Sequence, residues 1–304
     1  MNDLRSRIDR VARHDATVLI TGDTGTGKEL VARAVHLGSA RSKGPFVAVN
    51  CAALPEPLLE SELFGHARGA FTGAHQAYKG RVRLAAGGTL FLDEIGDMAL
   101  SAQARVLRFL ESGEIFSVGG LCAENVGVRV IAATNQNLGE RVRQGLFRKD
   151  MYYRLNIARI ELLPLRQRRA DIDELVAHFL AGLGVRYGRR LRGLHPQVRR
   201  LVMRYSWPGN VRELKNVLES AVIQADGDTL ELRHLPSYLV ADTQAPAPLS
   251  ERDMLLDMLT QTCWNKSAAA ERLQWSRMTV YRKLAKYHLR ETATGPVEQR
   301  DPLS

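Results

Sequence analysis

The sequence predicts an α/β protein with a doubly wound parallel sheet, followed by an α-helical lid and a C-terminal all-α helix-turn-helix domain. Short apolar runs rich in β-branched residues alternate with helical patterns over the first half of the 304 residues, which is typical of parallel strand–helix units. Amphipathic helical patterns then follow one another from about residue 171. Near the C-terminus a short turn separates two helical segments in a basic stretch, as in helix-turn-helix units.

Composition limits the function classes. A chain of 304 residues with 45% hydrophobic and 25% charged residues is typical of a globular protein with one large domain and one or two small ones. No apolar run approaches the ~20 residues that span a bilayer and no leader begins the chain, so we expect a cytoplasmic protein without membrane contact. The net charge of +10 favours a polyanionic partner. Cys51, Cys122 and Cys263 lack C-x-x-C spacing, so we expect buried, reduced thiols rather than disulfides or a zinc site.

The first strand–helix unit carries a candidate phosphate-binding loop. The apolar run Thr17–Ile20 comes before GDTGTGKE at 22–29, and a helical pattern begins at Leu30. In such a loop glycines let backbone N–H groups approach phosphate oxygens, and Lys28 supplies a charge for the β- and γ-phosphates. Glu29 stands where a hydroxyl for Mg²⁺ is usual. An ordinary glycine-rich turn is the alternative. The predicted nucleotide-binding residues here are Gly22, Asp23, Thr24, Gly25, Thr26, Gly27, Lys28 and Glu29.

Two further apolar runs predict buried strands. One is Phe46–Asn50, and the other is Gly87–Glu94, which ends in two carboxylates. In a parallel sheet, functional side chains lie at the carboxyl ends of the strands. Asp93 is therefore predicted to hold Mg²⁺ through water, and Glu94 to orient or deprotonate the attacking water. The alternative is that both acids only cap the helix that follows.

Two glycine-rich segments interrupt the alternation of strands and helices. Residues 65–74 break a helical region that begins at Leu58 and resumes near Gly80, and they carry one exposed-looking aromatic residue, Phe71. The second segment, Ser112–Gly127, is turn-rich and is interpreted as an exposed loop. Loops of this kind are candidates for moving, contact-making elements.

Polar residues also end the next predicted buried strand, Val128–Asn135. Its last two residues, Thr134 and Asn135, would lie where a sensor of the γ-phosphate is needed. Downstream, Arg148 and Arg154 would lie about 120° apart around a straight helix, by a step of about 100° per residue, so they need not do the same job. An arginine that reaches a neighbour's γ-phosphate stabilises phosphoryl transfer. A solvated basic helix is the alternative.

The second half of the chain predicts helical units joined by a linker. Helical patterns at Asp171–Leu183 and His195–Tyr205, and a turn at Trp207 that opens a third helix, predict a small lid. The alternation of Ala and Pro within Ala241–Pro248 predicts a semi-rigid linker. The predicted divisions are a core at 1–168, a lid at 169–240, a linker at 241–249, a helix-turn-helix domain at 250–290 and a disordered tail at 291–304.

The last unit is basic and has helix-turn-helix spacing. The stretch from Glu251 to Arg290 contains eight Lys or Arg residues and four acidic residues. Ala269 and Leu273 are predicted to pack inward, and Ser276 to cap the final helix. A small helical dimerisation unit is the alternative. The predicted DNA-binding residues are Lys266, Ser276, Arg277, Thr279, Arg282, Lys283 and Lys286.

Taken together, these motifs resemble the bacterial enhancer-binding activators of sigma-54 RNA polymerase, a branch of the AAA+ ATPases, over about Val18–Leu289. The most diagnostic motif is the unbroken GAFTGA at 69–74. The C-terminal unit resembles a Fis-type helix-turn-helix, and Glu29 after the lysine is also usual in this family. The resemblance implies ATP and Mg²⁺ as cofactors. The implied partners are the sigma-54 polymerase holoenzyme, enhancer DNA and further copies of the chain in a ring, usually a hexamer.

The resemblance also assigns roles to single residues. Phe71 and Thr72 would contact the sigma factor, and Ser112–Gly127 would be a second, cooperating loop. Asn50 would restrain the catalytic Glu94. The implied sigma-contact residues are Gly69, Ala70, Phe71, Thr72, Gly73 and Ala74.

The remaining implied roles concern the nucleotide. Thr134 and Asn135 would form the first sensor, and Arg212 in WPGNVREL the second. Arg148 and Arg154 would be fingers that act on the neighbouring subunit's ATP.

The implied function is mechanochemical: a ring hydrolyses ATP and moves the GAFTGA loop against sigma, so that the closed promoter complex melts. One competing function is a DNA-binding repressor or architectural protein without this coupling, although such relatives have a degraded GAFTGA motif. Another is an AAA+ unfoldase, which would require an aromatic pore loop and a substrate-recruiting domain rather than a helix-turn-helix. One feature departs from the family, because an apolar segment that helps to hold adenine usually precedes the first helix, into which Met1 falls here. The chain is then either a fragment of a longer activator or has an incomplete adenine pocket.

Overall fold

The computed structural model describes residues 2–71, 74–120, 122–244, 251–262, 264–273, 275–287 and 289. These residues fall into two compact units that divide after Pro236. None of the helices in the described ranges combines the length and the apolar character that crossing a bilayer requires. The domain boundaries given above at residues 168 and 240 stay predictions.

The first unit is built on a five-stranded parallel sheet. Its strands, in the spatial order β2-β3-β6-β1-β7, are Phe46–Asn50, Thr89–Asp93, Arg129–Thr134, Val18–Thr21 and Ala158–Glu161. Every neighbouring pair is parallel. Because parallel strands end at the same edge, the residues after β1, β3 and β6 meet there. This edge carries the polar residues that the sequence analysis singled out.

Helices cover both faces of the sheet, which confirms the doubly wound architecture. The helices of this unit are α1 Asn2–Ala12, α2 Lys28–Leu37, α3 Glu56–Phe64, α4 Arg81–Leu84, α5 Leu100–Ser112, α6 Leu138–Arg143, α7 Lys149–Leu155, α8 Ile172–Tyr187, α9 Pro196–Arg204 and α10 Asn210–Gln224. Successive strand residues point to opposite faces. Val18 and Ile20 therefore pack in a cluster with α1 and α2, whereas Leu19 packs in a cluster with α3, α5 and α7.

Three details of the α/β region differ from the sequence prediction. The strand β2 lies at the edge of the sheet, and only Val49 is fully buried there, so it is not the buried strand predicted. The opposite edge strand β7 was not predicted, because its short sequence ARIE alternates polar and apolar residues. Within Ser112–Gly127 an antiparallel hairpin forms from β4 Glu114–Phe116 and β5 Ala123–Asn125, and Ile115 is buried, so the segment is not simply an exposed loop.

The helices α8, α9 and α10 form the predicted lid, together with two short parallel strands, β8 Gly193–Leu194 and β9 Thr229–Leu230. Trp207 is completely buried at the centre of this region, and its indole Nε1–H donates to the carbonyl oxygen of Val202 over 2.8 Å. An indole is buried at low cost when its N–H finds an acceptor. The lid therefore has its own anchored core.

The second unit contains α11 Ser237–Gln244, α12 Glu251–Gln261, α13 Lys266–Arg272 and α14 Arg277–Lys286. Ala269 is buried and Leu273 packs against the same cluster, which confirms the predicted inward pair. The Ser276 hydroxyl accepts from the Thr279 backbone N–H over 3.1 Å, as expected for a helix cap. Residues 241–244 are helical in α11, so the linker predicted from residue 241 does not begin there.

The cysteines differ in environment. Cys51 is buried, as predicted, and burial raises the pKa of its thiol to about 12, so it stays protonated and unreactive near neutral pH. Cys122 is exposed next to β5, contrary to the prediction, because that face of the hairpin is open to solvent. Cys263 lies outside the described residues.

Candidate functional site

The predicted phosphate-binding loop connects β1 to α2, in the context that such a loop requires. The helix α2 begins at Lys28, and Gly27 before it is left-handed, with φ of 100° and ψ of 28°. The first N–H groups of a helix have no acceptor within it, and they form an anion site with the positive end of the helix dipole. Gly25 also has a positive φ of 78°, and a Cβ there would lie 2.3 Å from the carbonyl oxygen of Gly209 in the lid. A glycine at this position is therefore required.

Lys28 and Glu94 form a charged pair inside the site. The Lys28 side chain is only 7% exposed, and its Nζ lies 3.4 Å from Oε1 of Glu94. The same ammonium donates to the carbonyl oxygen of Gly22 over 3.1 Å. Oε2 of Glu94 accepts from the backbone N–H of Asn135 over 3.1 Å. A nearly buried ammonium group requires such pairing. These contacts connect residues that follow β1, β3 and β6.

Asp93 lies in the same edge of the sheet and fits the predicted magnesium role. Its Oδ1 accepts from the Glu94 backbone N–H over 3.0 Å. Burial raises the pKa of the Asp93 carboxyl above its usual value, and the neighbouring Glu94 carboxylate adds to this. Among the described residues, no cluster of three or more His, Cys, Asp or Glu forms a metal cage. A single carboxylate suits Mg²⁺, which proteins usually hold through one or two carboxylates together with substrate phosphates.

The two predicted sensor residues at the end of β6 contact the phosphate-binding loop. The Asn135 amide Nδ2 donates to the Thr24 hydroxyl over 3.0 Å. Thr134 is completely buried, and its carbonyl oxygen accepts from the Gly22 backbone N–H over 3.3 Å. Direct hydrogen bonds therefore connect the loop to the end of β6.

The lid closes on the loop through the segment that contains the predicted second sensor. The backbone N–H of Arg212 donates to the carbonyl oxygen of Gly25 over 3.2 Å. Asn210 is completely buried, and its Nδ2 donates to the carbonyl oxygen of Thr24 over 2.9 Å. Asn210 was given no role from the sequence. The signal for it was an Asn in the turn that opens α10, since Asn tolerates a left-handed conformation, and its φ is 54°.

Two arginines that the sequence analysis passed over also contact the loop. Arg166 lies 3.2 Å from Asp23 as an ion pair. Arg168 donates from Nη2 to the carbonyl oxygen of Thr26 over 3.0 Å, and burial lowers the pKa of its guanidinium. Its buried Nε has no hydrogen-bond partner among the described residues. The basic run of 166–169 looks solvated in sequence, so only the fold identifies these contacts.

Two predicted site residues make contacts elsewhere. The Asn50 side-chain oxygen accepts from the Ala52 backbone N–H over 2.9 Å, and within the described part of the chain Asn50 and Glu94 share no hydrogen bond. Glu29 pairs with Arg33, one turn along α2, at 2.8 Å on the exposed side of the helix. The roles predicted for Asn50 and Glu29 therefore stay predictions.

The two predicted finger arginines lie on the surface, in different settings. Arg148 precedes α7 in an extended conformation rather than in the helix, so the helical-wheel angle predicted between the pair does not apply. It pairs with Asp150 through two hydrogen bonds of 3.1 and 2.7 Å. This pairing raises the pKa of the Arg148 guanidinium and lowers that of the Asp150 carboxyl. Arg154 is exposed and donates from Nε and Nη2 to the carbonyl oxygen of Leu110.

The described residues on both sides of Thr72 and Gly73 in the GAFTGA segment are held by hydrogen bonds to each other, and Ala67, which lies before the segment, is bonded to the hairpin. Gly69 donates to the carbonyl oxygen of Ala74 over 2.8 Å, which closes the base of the loop. The side chain of Phe71 is 42% exposed, and its ring meets the ring of His66 edge-on at 5.0 Å. Ala67 donates to the carbonyl oxygen of Val118, between β4 and β5. Thr72 and Gly73 lie outside the described residues.

The predicted DNA-binding residues of the second unit are only partly exposed. Arg277, Arg282 and Lys286 are exposed on α14, and Ser276 is exposed at its start. Thr279 and Lys283 are half-buried rather than exposed, since the Thr279 hydroxyl bonds to that of Ser276 and the Lys283 ammonium lies over the Trp275 ring. Lys266 is half-buried at the start of α13.

Three family profiles match successive parts of the chain. The sigma-54 interaction domain matches residues 1–161. An AAA+ ATPase lid domain matches residues 166–252, and the Fis family of bacterial regulatory proteins matches residues 247–287. The matched ranges cover the sheet with its nucleotide-binding edge, the lid and the helix-turn-helix in order.

Known proteins with similar sequences are transcriptional regulators. The transcriptional regulatory protein ZraR of Escherichia coli K12 is 48% identical over 295 residues, which cover 94% of this chain and 67% of ZraR. The DNA-binding transcriptional regulator NtrC of the same strain is 43% identical over 317 residues, which cover 93% of this chain and 68% of NtrC. The chain thus spans about two thirds of the length of these relatives.

Solved structures agree with the sequence comparison. The crystal structure of NtrX from Brucella abortus in complex with ADP matches with a TM-score of 0.75 and 33% identity, covering 95% of this chain and 68% of NtrX. The ATP complex of NtrX matches with a TM-score of 0.72 and 34% identity, over 94% of this chain and 67% of NtrX. With these likenesses and three consecutive domain matches, the chain belongs to the sigma-54-dependent transcriptional activators, with an AAA+ core, a lid and a Fis-type helix-turn-helix.

Proposed function

We propose that this chain hydrolyses ATP as part of an oligomeric ring, a hexamer, and uses the GAFTGA loop to remodel the closed complex of sigma-54 RNA polymerase. The C-terminal helix-turn-helix binds enhancer DNA upstream of the promoter. The observation that carries the proposal is that Glu94 and Asn135 converge on Lys28 and Thr24 of the phosphate-binding loop, beneath a lid that contacts the same loop.

Within a subunit, the proposed chemistry divides among residues of the sheet edge. Lys28 and the first N–H groups of α2 bind the β- and γ-phosphates of ATP. Asp93 would hold Mg²⁺ through water, and the ion would neutralise charge on the phosphate oxygens. Glu94 accepts the proton of the attacking water. Its second carboxylate oxygen is already fixed by the Asn135 N–H, so its orientation follows the position of β6.

Between subunits, Arg148 and Arg154 are proposed to complete the neighbour's site. Both are exposed, and both make their hydrogen bonds outside the phosphate-binding loop of their own chain, to Asp150 and to the Leu110 carbonyl. An arginine supplied in trans stabilises the charge that develops on the transferred phosphoryl group. Hydrolysis then depends on ring assembly.

Coupling to sigma-54 is proposed to pass through the GAFTGA loop. The exposed ring of Phe71 gives the loop an apolar contact residue, with Thr72 next to it in sequence. The loop and the hairpin are linked by hydrogen bonds of Val118 with Gly65 and Ala67. The two segments therefore move together, in keeping with cooperating loops.

DNA binding is proposed for the exposed basic residues of α14, supported by Lys266, Ser276, Thr279 and Lys283 around them. The cationic side chains neutralise phosphates, which makes binding salt-dependent.

A separation-of-function variant tests the proposal. Thr72→Ala should leave ATP hydrolysis intact and abolish melting of a sigma-54 promoter, because it alters the contact and leaves the nucleotide site unchanged. A Thr72→Ala chain that still melts the promoter would refute the loop assignment. Enhancer binding and ATPase activity in an unsubstituted chain that never melts promoters would instead support a DNA-binding protein without coupling.

A further inference from the structure

The exposed face of α14 carries two apolar side chains between two arginines. Met278 is 77% exposed and Tyr281 is 53% exposed. Arg277 and Arg282 are exposed on the same face, one helical turn from Tyr281 and Met278 respectively. The adjoining side of α14 buries Val280 and Leu284 in the core of the second unit. These four exposed residues form the face of α14 that is considered below.

This face is not explained by the packing of the unit. The apolar cluster of the second unit includes residues from all three of α12, α13 and α14, yet Met278 and Tyr281 do not belong to it. Among the described residues, Arg277 and Arg282 have no ion-pair partner. An apolar pair flanked by two unpaired guanidinium groups indicates a partner that offers both apolar groups and negative charge.

Neighbouring contacts hold the face in a defined geometry. The Lys266 ammonium lies 5.5 Å from the centroid of the Tyr281 ring, which restricts that ring on one side. The Ser276 hydroxyl caps the first turn of α14 through the Thr279 N–H. The first turn, which carries Arg277 and Met278, is therefore fixed before any partner binds, and ordering it costs little on binding.

Duplex DNA fits this face better than a second copy of the chain does. A two-fold contact between two copies would bring four guanidinium groups together without an acid to offset them. The major groove of DNA is anionic, and the only apolar group that base pairs present in it is the C5-methyl group of thymine. In helix-turn-helix proteins the first residues of the second helix reach base edges.

We propose that Met278 and Tyr281 read thymine methyl groups in the major groove, flanked by contacts of Arg277 and Arg282 to guanine or phosphate. This inference rests on the proposed DNA-binding function and adds the base class that the chain recognises. Residues that contact only phosphates do not distinguish sequences. Met278 and Tyr281 are thus specificity determinants of the enhancer site.

The experiment uses the full chain and two forms of one duplex. Selection from random duplexes identifies a bound site, and each thymine in it is then replaced by uracil, which lacks only the methyl group. Removing a contacted methyl group should weaken binding about fourfold, because burying one apolar carbon contributes about 0.8 kcal/mol. The Met278→Ala variant should bind the duplex equally well with thymine or uracil at the base that Met278 contacts. The same should hold for the Tyr281→Ala variant at the base that Tyr281 contacts.

Two matched variants control for folding and for charge. Met278→Leu keeps an apolar side chain of similar volume and should keep the uracil penalty. Lys286→Gln removes one phosphate contact from the same helix, so it should weaken both duplexes equally and lower the salt dependence by about one unit. Met278 is exposed, so its substitution does not disturb the core.

Two results would overturn the inference. One is a uracil penalty that is the same in the alanine variants as in the unsubstituted chain. The other is loss of self-association in these variants while the uracil penalty persists, which would make a second copy the occupant. Either result leaves sequence-specific DNA binding, and so the proposed function, standing. If the unsubstituted chain shows no sequence-specific DNA binding, both this inference and the proposed enhancer binding are contradicted. ATP-dependent promoter opening, measured without enhancer DNA, would then test the proposed ATPase function separately.

Discussion

The amide nitrogen of Asn210 donates to the carbonyl oxygen of Thr24 over 2.9 Å, so a lid residue holds the phosphate-binding loop directly. The side-chain oxygen of the same residue accepts from the Leu165 N–H over 2.8 Å, just before the lid begins. Asn210 is completely buried. Because the side chain satisfies groups on two segments at once, a movement of the lid and a movement of the loop are mechanically linked.

Asn210→Ala should therefore reduce both stability and ATP affinity. It leaves the buried Leu165 N–H and the Thr24 carbonyl without their partner, and alanine is disfavoured at a φ of 54°. The expected loss in the free energy of unfolding is about 2–4 kcal/mol, measured by urea denaturation. Asn210→Gly relieves the backbone strain alone and should recover only part of this loss. Wild-type ATP affinity in both variants would show that the contact is structural only.

Mixing two inactive variants should restore ATP hydrolysis if the fingers act in trans. Lys28→Ala removes the phosphate-binding cation, and Arg154→Ala removes a finger that is worth about 10³–10⁵ in rate in related phosphoryl transfers. In an equimolar mixture, about a quarter of the sites combine an intact loop with an intact neighbouring finger. The steady-state ATPase rate of the mixture measures this recovery. A mixture as inactive as its components would place Arg154 in its own subunit's site.

Asp93→Asn should abolish hydrolysis and yet stabilise the fold near neutral pH. The pKa of Asp93 is raised by burial, so the ionised carboxylate costs more in the folded than in the unfolded state. This penalty is complete above the folded-state pKa and disappears as the pH falls below the usual value of 3.8. The gain from Asp93→Asn should therefore be present at pH 7 and shrink on acidification.

Urea denaturation across this pH range measures the effect, and Asp226→Asn is the matched control. Asp226 is an exposed acid without an ion pair among the described residues. A gain of equal size at both positions, or one that grows as the pH falls, would contradict the role given to burial at Asp93.

Phe71→Ala should separate ATP hydrolysis from promoter opening. The ring is 42% exposed and contacts the ring of His66, and none of the contacts described for the nucleotide-binding edge involves it. The ATPase rate should stay within about twofold, because no transition-state contact changes, while open-complex formation is lost. Leu37→Ala, which shortens another exposed apolar residue far along α2, should leave both activities unchanged. Open-complex formation that survives Phe71→Ala would remove this ring from the sigma contact.

The sequence predicted the sheet edge well because its signals are local. A glycine loop, two carboxylates after an apolar run, and Thr134-Asn135 after another each occupy a few consecutive residues. Their meeting then follows from parallel strands that end at one edge, and the contacts of Lys28 with Glu94 and of Asn135 with Thr24 confirm that they meet.

Other features depend on residues that are distant in sequence and were missed for that reason. The strand β7 lies at an edge, so it needs no continuous apolar run and its sequence gives little signal. Asn210 and Arg168 act on the loop from about 186 and 142 residues away, which no local pattern encodes. The sequence around Arg148 predicted that this residue lies in a helix, but its backbone is extended and α7 begins after it.

The most direct measurement of the central claim is ATP-dependent open-complex formation by sigma-54 RNA polymerase, with this chain as the only activator. Potassium permanganate reactivity of unpaired thymines at the promoter start site reports opening. We predict opening that requires ATP hydrolysis and is lost with Glu94→Gln, since the proton acceptor is then missing. A chain that hydrolyses ATP, and assembles, but leaves the promoter closed would contradict the account.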